Sequence, residues 1–343
     1  MGATATLEVT TECDQSCFDL PEWADLLARD RPRNVFGTPG WNRVWWEEFP
    51  ANKQLFVLSL RRGDEVAAIA PLYRKVDGGI PVFRFVGGID LTDYCGPICS
   101  SDDRADVAGA LLEWLAARDD WAEFDAHNMP VPFGFAEFLV ERADQMGFDF
   151  RIEQEETAAV LLLPGDFEEY LADLDSKERH ELRRKRRRLA REHPDATFRT
   201  ATPETLERDL DVFVDMHRGT EGLKGHFMRP DIASFFRRVA RHFMAHPEES
   251  ATLRLDLLEV DGNAIASTFG FELDGRFYLY NSAYEPAAAR VSPGLALVSE
   301  LVRECIDRGF ERFDFLRGPE RYKYQLGAES VPLHNVRILR GDA

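Results

Sequence analysis

Apolar residues in the first half of the chain recur at two spacings. In FGTPGWNRVWWEEFP (36–50), Trp41, Val44, Trp45 and Phe49 fall at helical intervals behind a Pro-Gly pair that suits a helix start. QLFVLSLRRGDEVAAIAPLYRK (54–75) holds two apolar strands joined through Arg-Gly-Asp, whose glycine suits the tight turn of a hairpin. VFRFVG and GPICS continue as strands. DRADVAGALLEWLAAR (103–118) and FGFAEFLVERADQMG (133–147) read as amphipathic helices, the second closed by Gly147. A polar stretch around residues 150–156 then interrupts the pattern and divides the chain into a domain over 1–155 and another over 156–343.

The second half repeats the alternation. TAAVLLL is a strand and DFEEYLADL a helix, and an arginine-rich helix starts at Ser176, with further helices at 203–217 and 230–245. ATLRLDLLEV, AIASTFGFEL and FYLYNSA are three strands separated by Asp-Gly turns at 261–262 and 274–275, the pattern of a meander. A helix (293–308), a strand (FERFDFL), a short helical turn (PERYKYQLG) and a last strand (LHNVRIL) complete the series. The fold class expected is α/β, with mixed sheets flanked by helices and two halves of similar logic.

Charge changes this picture in one respect. The chain carries 61 acidic against 42 basic residues, a net charge of -19, and only six of the basic residues are Lys. Surface carboxylates in such excess keep a protein hydrated where salt screens them and repel one another where it does not, so a salt-adapted, halophilic cytoplasm is the expected setting. The first twenty residues hold no apolar run and no basic start, and no membrane span is expected, which fits a cytoplasmic location. Five Cys is an odd number for a disulfide framework. The C-x3-C pairs Cys13/Cys17 and Cys95/Cys99 lack the spacing of zinc ribbons or fingers, so no metal is expected.

Candidate chemistry lies in two stretches near the end. In FYLYNSAYEPAAARVSPGLALVSELV, Ser292, Pro293 and Gly294 open an apolar helix, and Gly294 and Ala296 keep its free N–H groups clear of side chains, as an anion cradle requires. In FDFLRGPERYKYQLG, Phe313 and Phe315 share one face of a strand and Asp314 the other, and the turn at Arg317 and Gly318 presents Tyr322 and Lys323 at the strand's carboxyl end. A fixed ammonium there would stabilise the oxyanion of an acyl transfer. Tyr280, Tyr284, Tyr322, Glu285 and Asp314 are the nearby proton carriers.

Meander, small-residue turn, helix and strand together resemble the GNAT acetyltransferase fold. RVSPGLA departs from the usual GNAT pattern, because Arg290 lies one residue too far from Gly294. The finer resemblance is to the CelD/BcsL (cellulose-biosynthesis-type) acetyltransferases, relatives of the Fem peptidyltransferases, and it runs over TPGWNRVWWEEF, AAIAPLYR, SKERHELRRKRRRLARE, SPGLALVSELV and FDFLRGPERYKYQLGA. It implies two tandem GNAT-like domains and acetyl-CoA, or another acyl-CoA, as co-substrate. The cofactor contacts it implies are Arg290, Ser292, Gly294, Leu295 and Ala296, and the catalytic residues Lys323, Tyr322, Asp314 and Tyr280. Acceptor contacts are implied at Arg183, Arg187, Lys224 and Arg317. The acceptor is an amine or hydroxyl, with cell-surface polysaccharide precursors as the suggested class. A Fem-type transferase fed by aminoacyl-tRNA is the alternative enzyme, and a non-catalytic binding protein on degenerate domains is the third reading.

The helix RHELRRKRRRLARE bears on that choice. Residues 177–191 hold nine basic and two acidic side chains, so a segment of +7 sits in a chain whose remainder is -26. Leu182 and Leu189 give it a narrow apolar seam. It fits a cationic helix docked on the protein's own acidic surface, a groove wall for an anionic ligand, or a tRNA arm, in that order, because a strongly acidic protein in high salt gains little from counterion release. Nucleic acid is therefore not an expected partner.

Overall fold

The computed structural model describes residues 7–30, 33–219, 227–247 and 251–341. The chain divides into two compact units, Met1–Thr157 with Val331–Ala343, and Ala158–Ser330. The first unit thus closes at residue 157, and the last thirteen residues group with it.

In the first unit, α1 (Glu22–Arg29) and α2 (Pro39–Glu48) precede a meander of β2 (Lys53–Arg62), β3 (Glu65–Asp77) and β4 (Ile80–Phe85). Thr38 caps α2, its hydroxyl accepting from Trp41 N–H at 3.2 Å, and Pro39 takes the first helical position, where an amide hydrogen is not needed. β1 (Glu8–Glu12), whose single apolar residue Val9 gives no strand signal, lies antiparallel to β2 at the edge. After the two-residue β5 (Ile98–Cys99), α3 (Arg104–Ala116) crosses to β6 (Glu123–Pro130), which pairs parallel with β4. α4 (Phe135–Met146) ends at Gly147 in the left-handed conformation, as its sequence predicts. The strand order is β1-β2-β3-β4-β6-β13, where β13 is Glu329–Leu339 and runs antiparallel to β6. Phe56, Phe83, Phe124 and Phe135 fill the core between this sheet and the α3–α4 pair.

β7 (Asp149–Leu162) carries the chain into the second unit. There α5 (Phe167–Asp173) and α6 (Ser176–Glu192) lead to β8 (Thr197–Thr200), and α7 (Leu206–Arg218) and α8 (Pro230–Ala245) precede the meander β9 (Thr252–Val260), β10 (Asn263–Leu273) and β11 (Arg276–Tyr284). Asp261, Gly262, Asp274 and Gly275 all have positive φ, the backbone a two-residue hairpin turn demands. α9 (Pro293–Asp307) then crosses to β12 (Arg312–Arg317), parallel to β11, followed by the one-turn helix α10 (Arg321–Gln325). The order β7-β12-β11-β10-β9-β8 reproduces the first unit's sequence of senses, with one parallel pair among antiparallel neighbours. Mixed sheets flanked by helices thus match the fold class expected. One face of the second sheet buries Leu258, Phe277 and Phe313 under α9, whose Leu297, Leu301 and Val302 complete the packing.

Candidate functional site

The parallel contact between β11 and β12 covers three positions, Arg276–Tyr278 against Arg312–Asp314, and beyond them the two strands no longer pair with each other. A bulge accentuates the parting. β11 pairs Leu279 with Gly270 and Asn281 with Phe269, so Tyr280 is the extra residue. Separated strand edges expose peptide groups that need hydrogen-bond partners, which makes this gap a place where an extended ligand can lie.

α9 starts beside the end of β11. A 3-10 turn (Pro286–Val291) delivers the chain to Ser292, whose φ of +53° is left-handed, and the first helical bond runs from Ala296 N–H to Ser292 O at 3.0 Å. The N–H groups of Gly294 and Leu295 precede that bond, and the first turn carries no acidic side chain, so the positive end of the helix dipole is unneutralised by the helix itself. A Cβ on Gly294 would come within 3.3 Å of Tyr284 Cδ1. Leu295 is half-buried and Ala296 buried, both packed against the core. Arg290 is exposed and pairs with Glu192 at 2.6 Å.

At the end of β12 the buried Asp314 accepts from Leu316 N–H at 2.8 Å and fixes a turn in which Leu316 takes a φ of +57°. Lys323, expected to stand exposed beside this turn, is 3 % exposed. Its Nζ donates to the carbonyls of Leu316 (3.2 Å), Arg317 (2.7 Å) and Gly318 (3.2 Å) and pairs with Glu320 at 2.9 Å. Three N–H donors meet three carbonyls and a carboxylate, so the ammonium closes loop 316–320 and no donor remains for a developing oxyanion. The spacing Tyr-Lys on a short helix carries no sign of that loop folding back over the side chain.

Tyr322 is placed differently. Its ring lies edge-on to Phe315 at 6.1 Å, and the side chain of Ser282 on β11 is near enough to its hydroxyl to favour the phenolate. Burial pushes its pKa well above that of an ordinary tyrosine, aided by the charge of Glu320 and opposed by Ser282. Ser282, absent from the residues singled out in the sequence, is joined here by Asn281, whose Oδ1 accepts from Ser282 N–H at 2.7 Å and lies 2.7 Å from His217 Nε2. Forty residues separate Ser282 from Tyr322, and no local pattern could have paired them. Tyr280 packs into an aromatic group 5.3 Å from Phe236.

The arginines of α6 are tied to protein groups. Arg179 donates to the carbonyls of Leu171, Ala172 and Leu174, and Arg183 pairs with Glu168 at 2.9 Å. Arg186 pairs with Glu300 at 3.1 Å, Arg187 donates to Arg183 O, and Arg188 donates to Arg290 O. Arg317 is half-buried at the end of β12, its carbonyl engaged by Lys323. Lys224 lies outside the described residues. Among the described residues no group of three or more His, Cys, Asp or Glu side chains is disposed to hold a metal, and no helix is long and apolar enough to cross a membrane.

Residues 176–324 match the family model described as Acetyltransferase (GNAT) domain. No curated protein matches the sequence. FemX is similar in structure, at 10% identity and a TM-score of 0.66, with 96% of each chain covered. So is a conserved protein of unknown function from Bacteroides thetaiotaomicron VPI-5482, at 14% identity and a TM-score of 0.59, covering 97% of this chain and 100% of that one. At such identities the likeness is one of fold. Residues 176–324 are thus similar to a GNAT acetyltransferase domain, and the chain as a whole shares its fold with these structures.

Proposed function

We propose that the second unit binds an acyl-CoA and transfers its acyl group, acetyl in the simplest case, to an amine or hydroxyl acceptor. The observation that carries this reading is the parting of β11 from β12 next to a helix start whose first turn lacks carboxylates. The CoA pyrophosphate lies on the N–H groups of Gly294 and Leu295, where the helix dipole favours an anion. The acyl-pantetheine arm runs into the gap and takes the unpaired strand edges as hydrogen-bond partners.

The acceptor's lone pair attacks the acyl carbon and the C–S bond breaks. The departing thiolate takes a proton from Tyr322, and the proton released by the acceptor returns to Tyr322 through Ser282 and solvent. Tyr322 is protonated at neutral pH, the form a donor needs, and because burial makes it a weaker acid than a free phenol it gives its proton only to a strong base such as the departing thiolate. Lys323 is a positioning residue that holds the loop leading into the helix that carries Tyr322. The CelD/BcsL resemblance of 176–192 and of 313–328 supports a polysaccharide precursor as acceptor. Aminoacyl-tRNA is the weaker donor candidate, because the α6 guanidiniums are occupied within the protein.

Calorimetric titration with acetyl-CoA tests the reading. Wild type binds, and Gly294→Val loses at least about tenfold in affinity, about 1.4 kcal/mol, because its side chain obstructs the phosphates and crowds Tyr284. A wild type that gives no binding signal, or a Gly294→Val variant that binds equally well, overturns it.

A further inference from the structure

Lysines are scarce in this chain, six against 36 arginines, and α6 uses the two types differently. Its arginines are bonded to carbonyls and carboxylates, as described above. Lys177 and Lys185 have no hydrogen bond or ion pair with any described residue; Lys185 adds only a long-range attraction to Glu181, whose carboxyl Arg184 holds low at 2.7 Å. Both lysines line a cavity of about 180 Å³ that Leu295, in the first turn of α9, and Gln325 and Leu326, at the end of α10, help to close.

The carboxylates of that cavity are Glu178 and Glu181. With Arg184 counted against Glu181, the two ammoniums face one uncompensated carboxylate. Lys177 and Lys185 stand eight residues apart on the helix, about 12 Å along its axis, a span that two extended lysine side chains close around a diphosphate. A lysine ammonium is a compact, hydrated point charge with three rotatable donors, suited to an anion that must arrive and leave. The planar arginine fork is better suited to the fixed bidentate pairs seen elsewhere on α6.

We propose that Lys177 and Lys185 form a phosphate clamp that holds the phosphoryl oxygens of the donor against the start of α9. This rests on the acyl-CoA reading above for the identity of the ligand, though not for its chemistry.

The test is the variant K177Q/K185Q, titrated calorimetrically at fixed ionic strength with acetyl-CoA, with phosphate-free S-acetylpantetheine and with inorganic pyrophosphate. Melting curves verify that the fold is kept, and Arg191→Gln, a charge loss at the far end of the same helix, serves as control. The double variant is expected to lose about tenfold in affinity for acetyl-CoA and for pyrophosphate, with S-acetylpantetheine bound as by wild type and Arg191→Gln without effect. A double variant that binds acetyl-CoA and pyrophosphate like wild type overturns the clamp while leaving the acyl-CoA reading intact. A wild type that binds pyrophosphate through these lysines but does not bind acetyl-CoA keeps the clamp and removes acyl-CoA as its ligand. A wild type that binds neither overturns both.

Discussion

Each unit sends one helix across between its two parallel strands, and the two helices begin in opposite ways. α3 of the first unit starts behind Asp102 and Asp103, and Arg62 holds the carboxylates of Asp103 and Asp106 at 2.8 and 2.9 Å. Those carboxylates already occupy the positive end of the helix. α9 of the second unit has no such side chain. The parallel strands differ in the same sense. β4 and β6 pair only at Val82 and Phe83, and at the next position Arg84 and Asp125 form an ion pair at 2.7 Å. Asp125 in turn holds His127, which also meets Glu155, and Asn335 donates to Asp125. In the second unit the matching positions are Tyr278 and Asp314, a tyrosine and not an arginine opposite the carboxylate, and beyond them stand the uncharged Asn281, Ser282 and Tyr322. The shared topology creates a gap between strands in both units. A few side chains decide whether it becomes a buried ionic tie or an opening for a ligand.

Three measurements test this contrast. The largest effect is expected from Tyr322→Phe, which should lower turnover about 100-fold with acetyl-CoA binding and melting temperature nearly unchanged. Equal turnover in the two proteins would place the proton donor elsewhere.

The converse is expected from the first unit. Burial opposes the charge on His127, yet its hydrogen bonds to Asp125 and Glu155 prevail and raise its pKa to about 9. A raised folded-state pKa stabilises fully below the unfolded value of 6.5 and is lost as pH climbs through 9, so stability should fall by on the order of 2 kcal/mol over that window. His127→Gln should flatten that slope and cost stability at pH 6 without touching acetyl-CoA affinity. A slope identical in the variant would mean that another group titrates.

The smallest effect is common to both units. With a net charge of -19, the melting temperature should rise by several degrees from millimolar to molar salt. A flat response would separate the acidity from salt adaptation.

Local chemistry made much of the fold legible. The Asp-Gly turns of the second meander, the Arg-Gly-Asp turn with Gly63 at φ +62° and the glycine that ends α4 all enforce a backbone that few other residues adopt. Pro293 announced the start of α9 for the same kind of reason. What stayed hidden depends on which distant element a residue meets. LHNVRIL reads as a strand, but its apolar alternation does not say that its neighbour is β6 in the other half of the sequence. The site was half legible. The helix start at SPGLA and the short helix that carries Tyr322 could be read from the sequence, whereas the approach of Ser282 to Tyr322, the burial of Lys323 and the intramolecular pairing of the α6 arginines arise only from folding.

The burial of Lys323 has a chemical consequence beyond the shape of its loop. A lysine amine next to a thioester is itself an acyl acceptor, and an acyltransferase that exposed one beside its donor would modify its own chain. The ammonium of Lys323, one residue from Tyr322, is enclosed by the carbonyls of Leu316, Arg317 and Gly318 and by Glu320, so it presents no lone pair to an acyl carbon. Guanidinium groups, which supply nearly all the remaining positive charge, are poor nucleophiles as well. On the acyl-CoA reading, the bonds that shape the loop also keep this amine beside Tyr322 from being acylated.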